Sequence, residues 1–114
     1  ALSCGQPSSP GVLQSQAEYT LVAKYNSIDD VSRLMNQHGE DIAAIIVEPI
    51  AGNMGMIKPN PGFLKGLRDV ADKFKSLLLF DEVMTGFRVS LGGCYDLYKV
   101  KPDLVMLGSK ILNY

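Results

Sequence analysis

The chain has 114 residues, with 11 Lys and Arg against 12 Asp and Glu and a formal net charge of −1. That length holds one domain at most, and a near-even charge balance with no long block of either sign argues against nucleic-acid binding through a basic face. The longest apolar runs, residues 42–47 and 77–80, fall far short of the ~20 residues that a membrane helix needs. Residues 1–11 carry neither the basic nor the apolar stretch of a secretory signal. Cys4 and Cys94 stand without a C-x-x-C pair and beside a single His, so neither a disulfide framework nor a zinc site is expected. A reducing intracellular compartment is the expected setting.

In chain order, residues 1–17 are rich in Ser, Gln, Gly and Pro and read as loop. Residues 19–25 alternate, with Leu21, Ala23 and Tyr25 on one side and Thr20, Val22 and Lys24 on the other, which predicts a first strand. Ser27 is then a suitable N-cap, Asp29 and Asp30 favour the positive end of a helix dipole, and Ile28, Val31, Leu34 and Met35 recur at helical spacing up to Gly39. His38, in the last turn, suits terminal carbonyls better than a metal. Residues 42–47, I-A-A-I-I-V, predict a second strand stopped by Glu48-Pro49. After the loop I-A-G-N-M-G, Asn60 and Pro61 are placed to open a second helix as N-cap and N1, and Phe63, Leu64, Leu67, Val70, Ala71 and Phe74 form its core-facing stripe.

Residues 77–80 are four apolar residues that end in Asp81 and Glu82 and then a Gly-containing turn. Such a run reads as a strand buried on both faces of a parallel sheet. A short helical piece around residues 92–99 and a fourth strand at 103–108 complete a β-α-β series. The expected fold class is therefore α/β, a mostly parallel sheet with crossover helices.

One consequence concerns chemistry. Asn53, Asp81 and Lys110 follow or end successive strands and should gather at the carboxyl edge of the sheet, where open α/β folds bind ligands. An amine, a carboxylate and an amide meeting there suit pyridoxal phosphate: the amine condenses with the cofactor aldehyde, the carboxylate keeps the pyridine nitrogen protonated, and the amide donates to the ring oxygen. The plain alternatives are a structural aspartate at a strand end and a solvated lysine. Glu82 and Arg88 are candidate site residues too, although an ion pair or a turn-stabilising role is the more ordinary reading of each. Four apolar residues before Asp-Glu also match a magnesium-holding nucleotidase strand, but no G-x-x-x-x-G-K followed by Ser or Thr accompanies it.

The run L-L-L-F-D-E-V-M-T-G-F-R-V-S, followed by P-D-L and a Lys, resembles the signature of the class III, ornithine-type aminotransferases of pyridoxal phosphate fold type I. V-E-P-I-A-G-N-M-G, P-G-F-L-K-G-L-R and the extension to S-L-G-G are similar to the glutamate-1-semialdehyde aminomutase branch, since the usual transaminases carry a Gln-Gly-Glu-like run where this chain has Ala51, Gly52 and Asn53. The resemblance implies that Asp81 pairs with the pyridine nitrogen, Val83 packs on the cofactor ring, Asn53 binds near the phenolate oxygen, Glu48 supports the site's edge and Lys110 is the catalytic lysine. It also implies an amino shift within one substrate, from glutamate-1-semialdehyde to 5-aminolevulinate, through the pyridoxamine and pyridoxal forms of the cofactor. A homodimer in the cytoplasm or plastid stroma would be the setting. Residues 1–18 resemble part of a mobile active-site lid, and 19–114 part of the cofactor-binding large domain.

The lysine motif departs from the family. L-G-K with following glycines is replaced by L-G-S-K-I-L-N-Y, which puts Lys110 one residue late, on the opposite face of an extended segment unless Ser109 is bulged. The family's phosphate-binding loop lies upstream of these motifs and its small domain downstream, so the 114 residues alone are expected to be inactive. A degenerate, non-catalytic domain and another class III transaminase both stay open on these residues.

Overall fold

The computed structural model describes residues 2–3, 6–7 and 18–108. Leu2–Ser3 (β1) and Gln6–Pro7 (β2) pair antiparallel, Leu2 opposite Pro7 and Ser3 opposite Gln6, so the first residues are not loop throughout as the sequence suggested. The remainder of the expected lid, and Ser109 and Lys110, lie outside the described residues.

Residues 19–25 do not form the expected strand. Their backbone is committed elsewhere: the Lys24 N–H donates to Asp30 Oδ2 at 2.9 Å and the Lys24 carbonyl accepts from Ser27 at 3.2 Å. A ladder requires those groups, and Leu21 and Val22, expected on opposite sides, are both exposed, as is Tyr19. The segment leads instead into Ile28–His38 (α1), where Ser27 Oγ accepts the Asp30 N–H at 3.3 Å in the capping role. Val31 and Met35 are its buried stripe.

Ala44–Val47 forms β3, Phe63–Phe74 α2, Leu77–Asp81 β4, Gly93–Tyr98 α3 and Leu104–Met106 β5. None of these helices is long and apolar enough to cross a membrane. α2 begins two residues later than Asn60-Pro61 predicts. Phe63 N–H donates to the Asn60 carbonyl at 3.0 Å, with Pro61 second and Gly62 third at φ 84°, which is the pattern of a type II turn. Asn60 closes that turn, and its own N–H is held by Asn26 Oδ1 at 2.7 Å.

The sheet is parallel with β4 in the centre and β3 and β5 on either side. Residues paired in register share a face. Leu78 and Phe80 face α2, are fully buried, and join Leu64, Leu67, Ala71, Val31, Met35 and Cys94 in one core. The other face carries Ile46, Leu77, Leu79, Asp81, Leu104 and Met106. Here the expectation of strands buried on both sides is corrected: Ile46 is 57% and Leu104 54% exposed. Both long helices stack on one side, α1 against α2 and α2 against β3 and β4, so the second face is uncovered among the described residues. Its Asp81 is thereby accessible from solvent.

The connection into β5 is pinned by charge. Asp103 Oδ2 accepts from the Leu78 N–H at 2.7 Å and from Arg68 Nη1 at 2.8 Å, while Arg68 also pairs with Asp72 at 2.6 Å. The backbone donor of Leu78, and then Arg68, hold the Asp103 carboxyl below its usual range. A carboxylate with a lowered folded pKa contributes stability above the unfolded value and loses it as pH falls through the folded one. Comparing urea midpoints of the chain and Asp103→Asn is expected to show an advantage for Asp103 that is constant above about pH 4 and shrinks below it. An advantage independent of pH would contradict the charged role of Asp103.

Candidate active site at the carboxyl edge of the sheet

Three segments leave the carboxyl edge of the sheet, and those after β3 and β4 are each closed by a carboxylate. After β3 the chain turns through Pro49 and Ile50 into a 3₁₀ turn, Gly52–Met54. Glu48 closes this loop: Oε2 accepts the Gly52 N–H at 2.9 Å and Oε1 accepts from Asn53 Nδ2 at 2.9 Å. The carboxylate thus fixes which end of the Asn53 amide faces it, and among the described residues one N–H and the amide oxygen of this exposed side chain have no partner. Tyr25 braces the same loop from behind, donating its hydroxyl to the Pro49 carbonyl at 3.0 Å with its ring edge-on to Phe63 at 5.2 Å. Burial, with Tyr98 nearby, pushes its hydroxyl pKa up to about 12, so Tyr25 remains a donor at ordinary pH.

β4 ends at the half-buried Asp81. Its Oδ1 accepts the Val83 N–H at 3.1 Å, a side-chain-to-backbone turn that holds the carboxylate beside the chain it terminates. Beyond it, Val83 lies against the segment that follows β5: a Cβ on Gly108 would fall 2.6 Å from Val83 Cγ1. Met84 closes on the other side, 3.2 Å from where a Cβ on Gly52 would be. The loops after β3 and β4 therefore meet, and the loop after β4 meets the residues that follow β5 up to Gly108.

Glu82 lies on the opposite side of the turn from Asp81. It is 2% exposed, and its Oε2 accepts the Cys94 N–H at 2.8 Å and the Thr85 hydroxyl at 3.1 Å. Its own N–H donates to the Met106 carbonyl at 3.0 Å. Burial and the neighbouring Glu82 push the Cys94 thiol up to about 11, although the Thr85 hydroxyl opposes the shift. Cys94 is an inert packing residue by that measure. Arg88 is exposed.

The structure thus brings Glu48, Asn53, Asp81 and Val83 to one edge; Lys110 lies outside the described residues. The sequence reading left Glu82 as an ion-pair or turn residue, read Tyr25 as a strand residue, and did not use Met84 or the Gly52 N–H. Glu82 meets Cys94 across 12 residues, a separation that no local pattern encodes. Chemically, the edge offers a carboxylate suited to a protonated ring nitrogen, an oriented amide suited to an anionic ring oxygen, and an apolar valine beside the carboxylate. That donor set fits pyridoxal phosphate.

A family model described as aminotransferase class-III matches residues 3–113. A glutamate-1-semialdehyde 2,1-aminomutase from Desulfitobacterium hafniense is 53% identical over 111 residues, covering 97% of this chain. The chain spans 26% of that relative's length. Among solved structures, an omega-transaminase from Sphaerobacter thermophilus superposes with a TM-score of 0.80 at 32% identity, over 87% of this chain and 22% of that one. A glutamate-1-semialdehyde aminomutase from Pseudomonas aeruginosa in complex with PMP superposes with a TM-score of 0.75 at 27% identity, over 88% and 22%. With the parallel sheet, the D-E-V-M-T-G turn at its carboxyl edge and a family match along almost the whole sequence, this chain belongs to the class III aminotransferase family.

Proposed function

We propose that this chain is the cofactor-facing part of a pyridoxal-phosphate-dependent aminomutase that converts glutamate-1-semialdehyde to 5-aminolevulinate, the tetrapyrrole precursor. The observation that carries the reading is the convergence of Asp81, the Glu48-Asn53 pair and Val83 at one sheet edge. The identity to aminomutases over 97% of the chain supports the substrate. In this reading Asp81 keeps the ring nitrogen protonated, and Asn53, oriented by Glu48, donates its remaining N–H to the ring oxygen. Val83 packs on the ring, and Lys110 holds the aldehyde carbon. Pyridoxal phosphate supplies an electron sink for the carbon that loses its proton. The whole protein would act as a homodimer in the cytoplasm. A transaminase working between two substrates is the second reading, supported by the likeness to the omega-transaminase.

Titrating the chain with pyridoxal phosphate, then reducing with borohydride and mapping the labelled peptide, tests this directly. A specific visible band with label confined to Lys110 is expected, and Asp81→Ala is expected to weaken binding about tenfold or more, from the loss of a charge-assisted hydrogen bond of ~1.5–3 kcal/mol. Label scattered over surface lysines, or unchanged affinity in Asp81→Ala, would sink the proposal.

A further inference from the structure

Asp81 and Glu82 are adjacent carboxylates with opposite surroundings. Asp81 stands on the open face of the sheet with one hydrogen bond, to Val83, among the described residues. Glu82 is sealed beneath it, and its polar contacts both close the turn on itself, at Thr85 and Gly86, and join it to two other parts of the chain, β5 and α3. Its N–H reaches β5 at Met106, and its carbonyl accepts the Gly86 N–H at 2.8 Å. Its Oε2 takes the hydroxyl of Thr85, 1% exposed, and the first free amide of α3 at Cys94. The carboxylate also sits where no side chain fits on the neighbouring residue: a Cβ on Gly93 would fall 2.5 Å from Oε2 and 2.7 Å from Oε1.

A buried carboxylate is costly unless its lone pairs are filled, and here they are filled by groups that lie on two sides of the 82–86 turn. We infer that Glu82 is a positioning residue, whose carboxylate pins the turn between β4 and α3 and thereby sets the direction of the Asp81 carboxylate and the place of Val83 on the open face. Among the described residues Asp81 has one anchor, the Val83 N–H, and that amide belongs to the turn Glu82 holds. The link from Glu82 to Asp81 therefore runs through one peptide, to Val83, and one hydrogen bond, from the Val83 N–H. Its consequence for cofactor affinity rests on the function proposed above; its consequence for the Val83 amide does not.

The test compares the chain with Glu82→Ala and Glu82→Gln in two measurements: amide hydrogen exchange without cofactor, and affinity for pyridoxal phosphate. Glu82→Ala is expected to speed exchange of the Val83 and Cys94 amides while leaving Leu78 and Phe80 unchanged. Because a misplacement on the order of 1 Å costs a site up to ~100-fold, its affinity should fall by about tenfold or more. Gln keeps the length, can accept from Cys94 and can donate to Thr85, so Glu82→Gln should restore both readouts to within about threefold of the parent. Should Glu82→Ala fail to fold, Thr85→Val removes one donor at nearly constant volume and is expected to shift the same two amides and the affinity in the same direction, by less.

Exchange raised equally across the whole core would reduce Glu82 to a packing residue. Val83 freed with affinity intact, or no recovery with Gln, would overturn the inference as well. If the parent chain binds no pyridoxal phosphate yet Glu82→Ala still frees Val83 and Cys94 selectively, the cofactor reading falls and the positioning of the Asp81 turn stands.

Discussion

Phe80→Ala should lower the stability of the chain by ~3–5 kcal/mol, the usual range for deleting a buried phenyl ring. Phe80 is fully buried in the central strand, between Val47 and Val105 in register, and shares its core with Leu64, Leu67 and Ala71 of α2. The sheet packs helices on one side, so this core has a single layer, and a cavity at its centre touches both the sheet and α2. Small domains have only ~5–15 kcal/mol in total, so the loss is a large part of the whole. In a thermal melt the shift should be on the order of 15 °C. Phe80→Leu, which retains most of the volume, should cost far less, ~1.5 kcal/mol or below. Equal losses for Ala and Leu would show that the cavity is not what matters.

Gly93→Ala should be nearly as damaging, by about 3 kcal/mol or more. Two costs add. Gly93 has φ 61°, a left-handed conformation that costs a residue with a Cβ roughly 1–2 kcal/mol. The new methyl would also stand 2.5 Å from Glu82 Oε2 and 2.7 Å from Oε1. The carboxylate must then leave the Cys94 N–H, and a hydrogen bond to a charged group contributes ~1.5–3 kcal/mol. Urea unfolding followed by circular dichroism measures the sum. A loss below ~1 kcal/mol would mean that the Glu82 contact yields freely. Gly93→Ala combined with Glu82→Gln separates the two costs, because the backbone term remains when the charge is gone.

These two positions also show what could be read from residues in order. Phe80 declared itself as the end of an apolar run that stops at two carboxylates. The contact between Gly93 and Glu82 gave no such sign, since it joins a strand end to a helix start and neither motif names the other. The same holds for the Tyr25 hydroxyl on the Pro49 carbonyl, which spans 24 residues. Its alternating neighbourhood mimics a strand, yet the Lys24 amide is taken by Asp30.

The amino-acid order by itself determined the elements whose signals are local: the Ser27 cap, the α1 and α2 stripes, the three apolar strands, and the placement of Asn53 and Asp81 just after successive strands. Sequence resemblance added the roles proposed for Glu48, Asn53, Asp81, Val83 and Lys110. Only the tertiary structure decided which face of each strand is covered. A run such as L-L-L-F is apolar at every position, so its period is silent about burial, and the answer lay in where α1 and α2 stack. It likewise decided that Glu48 orients Asn53 and that Glu82 braces the turn of Asp81, because hydrogen bonds to a carboxylate depend on distances that folding sets and residue spacing does not.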